Sequence, residues 1–328
     1  MTASLAMTPQ ELVLADIQLP YSAQGWLNHY VLPVNHAPLW RFLHHKRWVY
    51  VWIDGSDWIL GLAVIDLNYA SKCFVYWAQQ DQARPLWQYN HLFSRPSAIE
   101  LSVHPDQKLK ARFDNSAMLV DVKIDAQGAL HVSVQASDFS ARVEAAPATM
   151  IPLVAANHLP QGDCNLTQKV MYTQARVQIQ HQQQDIRFDH ARVSVDLTDG
   201  FLPHQTAWYW ASLNGVAVTG ENLALNLVQG FNGACECVYW SDSHPTQLQL
   251  VGEGIFESGQ NWRIRSQSKR FELTFKPWST LRQSLNWGPI NSDFQQLYGS
   301  YSGWIQCAEQ KIEFENVRGI AEYQRVNW

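Results

Sequence analysis

The residues best suited to chemistry lie between 196 and 212, in the run DLTDGFLPHQTAWYWAS. Asp196, Asp199 and His204 stand just before an aromatic triplet, Trp208, Tyr209 and Trp210. On a strand, Trp208 and Trp210 share one face. A carboxyl group set against an indole wall is poorly solvated and keeps its proton to higher pH, which suits a general acid. Asp196 is therefore the first candidate for a catalytic acid, with His204 close behind it in sequence. A plainer reading competes, and on the residues alone it prevails. Asp199-Gly200 is a good turn pair, and Asp196 alternates with Ser194 and Arg192 on the polar side of its strand. The acid role requires Ser194 and Asp196 to point inward while Val193 and Val195 pack outward.

Other side chains join this set with similar ambiguity. Glu322, in RGIAEYQRVNW, shares a strand face with Ile320 and Gln324. It is a cavity carboxylate or a rim partner of Arg318 or Arg325. Asn226, in ENLALNLVQG, lies opposite Leu223, Leu225 and Leu227. Buried, it needs hydrogen-bond partners and can orient a polar ligand group; otherwise it belongs to a solvated face. In HHKRWVYVWID, Trp48, Tyr50 and Trp52 point one way and Val49, Val51 and Ile53 the other. A soluble antiparallel sheet usually wets one face, so this strand must pack on both. Lys46 and Arg47 at its start are candidates to neutralise a ligand anion, or charges that protect a sheet edge.

No strong catalytic signature is present: there is no G-x-S-x-G, no H-E-x-x-H and no P-loop. His44 and His45 are adjacent, so on a strand they face opposite ways and form no metal face. The five cysteines, Cys73, Cys164, Cys235, Cys237 and Cys307, suggest no disulfide framework. Cys235 and Cys237 read as thiols on one side of a strand. No second close pair makes them a zinc site. Neither a metal nor a cofactor is expected.

The elements that must hold these residues are almost all short β-like runs. Asp54-Gly55-Ser56-Asp57 separates two apolar runs and reads as a hairpin turn. Strands follow at 72–78, 117–125 and 129–137, and again through the second half. Segment 145–165 carries Pro147, Pro152 and Pro160 and is the expected connection between domains. Residues 291–299 read as a short helix, capped by Asn291 or Ser292 and ended by Gly299. There is no clean alternation of strands with long helical patterns, which argues against a doubly wound α/β fold. Each half holds roughly eight strands, enough to close a small barrel.

Composition agrees. The 328 residues are 46% hydrophobic and 16% charged, with a net charge of −5. That balance argues against a nucleic-acid surface, which needs clustered Lys and Arg. The 15 Trp are more indole than one core needs, which suits either a ligand wall or a β-rich core. The first twenty residues have no basic, apolar leader pattern, and no run reaches the length of a membrane span. A cytoplasmic location is the default expectation.

Several segments together resemble one family. KRWVYVWID, DLTDG…P…TAWYWAS, LALNLVQG, FQQLYGSYSG and GIAEYQRVNW occur in an order similar to the domain-of-unknown-function 2804 family. The resemblance runs from about residue 29 to the C-terminus. That family is similar in fold to carotenoid hydratases (hydroxyneurosporene synthase) and lipocalin-like Diels–Alderases. The resemblance implies two lipocalin-like barrels around an apolar ligand. In the hydratases an acid protonates an isoprenoid double bond and water captures the cation; by analogy Asp196 is the position to test.

The expectation is an all-β chain of two lipocalin-like antiparallel β-barrels, at 22–160 and 161–328, with few short helices. Its expected partner is a hydrophobic small molecule, a lipid or isoprenoid, and neither nucleic acid nor a membrane. Asp196, His204 and Glu322 are the candidate catalytic residues. Lys46, Arg47, Trp48, Tyr50, Trp52, Trp208, Tyr209, Trp210 and Asn226 are the candidate ligand contacts. A carrier needs only the cavity. A cofactor-free hydratase, isomerase or cyclase also needs an acid inside it, and a scaffold needs no cavity.

Overall fold

The computed structural model describes residues 12–13, 21–27, 30–32, 34–80, 82–93, 99–104, 107–242, 249–250, 254–287, 290–307 and 310–328, with backbone only at 12–13, 21–23, 31, 93, 104, 107, 249–250, 287 and 307. The N-terminal segment read above for a leader lies mostly outside them. The fold is almost entirely β. The one α-helix among the described residues is Pro38–His44. Two curled sheets, of 13 and nine strands, account for nearly all the rest.

Both sheets follow one plan. In the first, His45–Asp54, Trp58–Asp66, Ser71–Gln79 and Trp87–Phe93 form a meander. A second meander runs from Ile99–His104 to the 18-residue pair Cys164–His181 and Gln184–Phe201. The last strand, Gln184–Phe201, then returns to pair with the first, His45–Asp54. The second sheet repeats this. Gln205–Val216 opens it, and the final strand Gln310–Asn327 pairs back on it. In each sheet the two edge strands are neighbours in the chain, and each sheet is an open, curled half-barrel.

The sheet changes between Phe201 and Gln205. The expected division at residue 160 does not coincide with it: Cys164–His181 and Gln184–Phe201 belong to the first sheet. Nor is 145–165 a bare connection, because Leu153–His158 pairs with Cys164–His181. The prolines at 147, 152 and 160 bracket that strand instead of excluding it.

The 291–299 segment is also corrected. It lies within the strand Ile290–Cys307, paired on both sides. Phe294, Gln296 and Tyr298 face one way and Leu297 the other, all buried. Two-sided burial and two ladders outweigh local capping signals. Gly299 serves a close approach, not a helix stop: a Cβ there would lie 2.2 Å from the Lys276 carbonyl oxygen. Cys235 is not in a strand either. It lies in the 3₁₀ turn Gly233–Glu236, and Cys237 follows that turn. Cys73, Cys164, Cys235 and Cys237 are buried free thiols.

The hairpin at 54–57 forms between His45–Asp54 and Trp58–Asp66, with Ser56 at φ 77°. The first of these strands shows why both its faces are apolar. Val49, Val51 and Ile53 enter the core of the first sheet. Tyr50 and Trp52 enter a separate cluster with Trp210, Phe294, Tyr298 and Ile320 of the second sheet. The outer face of one curl is thus the inner face of the contact between the two.

Candidate functional site

That contact is not completely filled. A cavity of about 120 Å³ lies between the sheets. The first sheet supplies Trp48, Tyr50, Phe74, Lys72, Lys169 and Asp196 to its wall, and the second supplies Trp208, Trp210, Phe294, Glu236 and Glu322. Trp48 and Trp208 stack across it with centroids 6.1 Å apart and planes at 10°. Tyr50 meets Trp210 edge-on at 5.6 Å. Such a wall offers π faces to an apolar or cationic guest. Ala63 and the partly exposed Leu92, Leu285 and Trp328 are also among the lining residues.

Glu322 is the carboxyl group most deeply shaped by this setting. The Trp208 indole N–H donates to its Oε1 at 2.8 Å, and Gln296 Nε2 donates to its Oε2 at 2.6 Å. Gln296 is in turn fixed by three phenols. The hydroxyls of Tyr50, Tyr76 and Tyr298 lie 2.9, 2.9 and 2.8 Å from its Oε1, and Tyr50 and Tyr76 share a further hydrogen bond of 2.7 Å. Tyr76 reaches this point only because residue 61 is glycine: a Cβ there would lie 1.7 Å from the Tyr76 hydroxyl. Burial pushes the Glu322 carboxyl up to about 7 against the two hydrogen bonds that favour its charged form. The strand Gln310–Asn327 carries Glu322 at the register of Trp210 and Gln296, so the ladder itself sets this placement.

A second polar cluster faces the same cavity. Lys169 Nζ lies 2.7 Å from Asp196 Oδ1 and 3.2 Å from Glu236 Oε2. Thr167 Oγ1 also donates to Asp196 Oδ1, at 3.2 Å. Burial alone pulls the Lys169 ammonium down, and its two carboxylate neighbours raise it above the ordinary lysine range. Burial holds Glu236 above the usual carboxyl range, against the pull of Lys169. Asn232 Nδ2 donates to Glu236 Oε1. Lys169 also lies 5.3 Å from the centre of the Trp210 ring.

Asp196 therefore faces the cavity, and the simple polar-side reading is corrected. The Ser194–Asp196–Thr198 row is polar but buried against the second sheet, not solvated. Arg192 of the same row reaches Asn214 and Asn222 of that sheet. Asp196 is engaged by an ammonium and a hydroxyl, which makes it an acceptor.

The structure brings Trp48, Tyr50, Trp208, Trp210, Asp196 and Glu322 together on one cavity. Asn226 stands behind the wall: it accepts from the Trp210 indole at 2.7 Å and donates to the Glu236 carbonyl. Trp52 is sealed in the inter-sheet core. Tyr209 points away, against Tyr323, Phe256 and Trp262. His204 is exposed beyond the strand end. Lys46 is fully buried, donating to the Leu43, His45 and Leu67 carbonyls. Arg47 pairs with Asp66 at 2.5 Å. Asp199 and Gly200 form no turn, since their strand runs on to Phe201. Instead Asp199 accepts from Tyr30 and pairs with His45, away from the cavity.

Sequence reasoning missed Lys72, Lys169, Glu236, Gln296 and Phe294. Lys169, in LTQKVMYT, was legible as a cation within an apolar stretch. Glu236 lay hidden between two cysteines that drew the attention. Gln296 sat in the segment read as helical.

A family model described as domain of unknown function (DUF2804) matches residues 6–328. The chain belongs to that family. No curated protein sequence matches it. Solved structures with a similar fold include CghA with Sch210972, at 9% identity and TM-score 0.52, covering 94% of this chain and 99% of that one. Kievitone hydratase from Nectria haematococca aligns at 12% identity and TM-score 0.53, covering 94% and 97%. A putative AttH from Nitrosomonas europaea aligns at 11% identity and TM-score 0.51, covering 85% and 92%. At such identities the likeness establishes the shared fold of two curled sheets.

Proposed function

We propose that the inter-sheet cavity binds an apolar small molecule and that Glu322 delivers a proton to it. The observation that carries this reading is Glu322 itself, a buried carboxyl on an aromatic wall, fixed from both sides and raised to about 7. An acid works best when its pKa lies near the working pH. The indole and phenol faces of Trp48, Trp208, Trp210 and Tyr50 suit a guest that becomes cationic when protonated. The Lys169–Asp196–Glu236 cluster is the polar counterpart that orients water or a product hydroxyl. Addition of water to a double bond, its isomerisation or cyclisation are the reactions this set serves. That two neighbours in fold are a hydratase and a protein with bound small molecule supports the class. Asp196, tied to Lys169, acts in this scheme as a fixed acceptor and Glu322 takes the acid role. The chain is an isoprenoid- or lipid-binding protein if the acid is silent, and the two sheets act as the two halves of one binding unit.

A panel of isoprenoid alkenes incubated in D2O tests it. The wild type is expected to place deuterium in the product of at least one alkene. Glu322→Gln should still bind that alkene, judged by quenching of tryptophan fluorescence, and yield no deuterated product. Deuterium incorporation that persists in Glu322→Gln contradicts the acid assignment.

A further inference from the structure

Lys72 is the side chain on the cavity wall whose place the acid reading leaves open. Its ammonium nitrogen lies 5.5 Å from the centre of the Phe74 ring and 5.9 Å from that of Phe294. It donates one hydrogen bond, 2.7 Å long, to the neutral amide oxygen of Gln283. Among the described residues no carboxylate comes within ion-pair distance of it. Lys72 is half-buried, and a lysine so placed among rings normally has such a partner; Lys169, on the same wall, has two. Lys46 makes the complementary contrast. Burial lowers it to about 7, but it has no exposed surface and is spent on three carbonyls. Lys72 alone combines a poorly solvated amine with access to the cavity.

We propose that Lys72 forms an imine with the carbonyl carbon of an apolar aldehyde or ketone that enters the cavity. This deepens the reading above and rests on it, since it names the functional group a guest presents. The step balances without a further reactant. The neutral amine attacks the carbonyl carbon, the C=O π pair moves to oxygen, and proton transfer gives a carbinolamine. Protonation of the carbinolamine hydroxyl lets water leave, and the nitrogen lone pair forms the C=N bond. The ammonium and the carbonyl become an iminium and one water. Two properties of the site favour this. Burial lowers Lys72 to about 8, against the attraction of Glu322, so near neutral pH much more of it is free amine than of an ordinary lysine. Glu322, on the same wall, is the nearby acid for loss of water.

The test is reductive trapping. Full-length protein at about pH 7.5 is treated with benzaldehyde and sodium cyanoborohydride, then mapped by peptide mass. At that pH Lys72 holds on the order of a hundredfold more free amine than a lysine of ordinary pKa. The expected result is a benzyl group on Lys72, the aldehyde's mass less one oxygen, at least about tenfold above any other lysine. Labelling should rise with pH and level off above about pH 8, whereas surface lysines continue to rise. Lys72→Met should lose the adduct and stay folded by far-ultraviolet circular dichroism. Wild-type tryptophan quenching by limonene, an apolar hydrocarbon with no carbonyl, reads the cavity independently. Equal labelling of many lysines, with limonene quenching intact, overturns the imine and leaves the cavity. Absence of both the adduct and the quenching overturns the cavity reading and the imine with it.

Discussion

At the scale of single residues, the account turns on Glu322 and Lys169. Glu322 sits above the ordinary value of 4.5, at about 7. A step that needs it protonated is full below about pH 7 and falls as pH rises through that value. The same shift links to stability. A carboxyl raised on folding contributes most below its unfolded pKa, and that contribution is lost as pH rises through the folded one. The loss is on the order of 3 kcal/mol between pH 4.5 and 8. Urea midpoints at pH 5 and pH 8.5 should therefore fall further for the wild type than for Glu322→Gln. Equal pH dependence of the two proteins counts against a protonated Glu322. Lys169→Met strands two buried carboxylates, Asp196 and Glu236, and should cost roughly 3–5 kcal/mol in equilibrium denaturation. A loss under 1 kcal/mol would mean that water already reaches the cluster. Asp196 was legible in the sequence as a carboxyl near indoles, and Glu322 as a cavity carboxylate or a rim partner of an arginine. Which of them pairs with a cation was not, because the lysine that engages Asp196 stands 27 positions before it.

At the scale of elements, strand identity was mostly legible and direction was not. Alternation shows that a strand such as His45–Asp54 has two apolar faces, but not which face meets which neighbour. Here one row enters a curl and the other meets the second sheet. The same limit hid Ser194, Asp196 and Thr198: a polar row looks solvated until another sheet is laid over it. The helix read at 291–299 failed for a related reason, since Gln296 looks like a surface residue yet is fully buried as the hub of three phenols. The arrangement predicts a specific weakness on the opposite strand. Gly61→Ala forces Tyr76 off Gln296 and should destabilise by about 1–3 kcal/mol, the usual cost of overpacking. It should also change the pH dependence assigned to Glu322, because Gln296 then loses one of its anchors. Loss of stability with an unchanged pH profile would separate the tyrosines from the site.

At the scale of the whole molecule, the two sheets share one interface core built around Tyr50, Trp52, Tyr76, Trp210, Phe294 and Tyr298. They are expected to unfold together: tryptophan fluorescence and far-ultraviolet circular dichroism should give coincident transitions. Two separated transitions would show that the interface contributes little. The repeated plan of the sheets was foreshadowed by two sets of short strands, but the joining of the two meanders in each sheet rests on pairings between residues far apart in sequence, such as Asp196 with Tyr50, that no local pattern records. The cavity exists only because the two outer faces leave a gap where they meet, and a gap has no signature in sequence. It is also the feature on which the proposed function depends. Titration of tryptophan fluorescence with β-ionone, on the wild type and on Ala63→Phe, which places a ring into the cavity, tests it most directly. The account predicts saturable quenching in the wild type and its loss in a folded Ala63→Phe. Quenching of equal affinity in both proteins would contradict it.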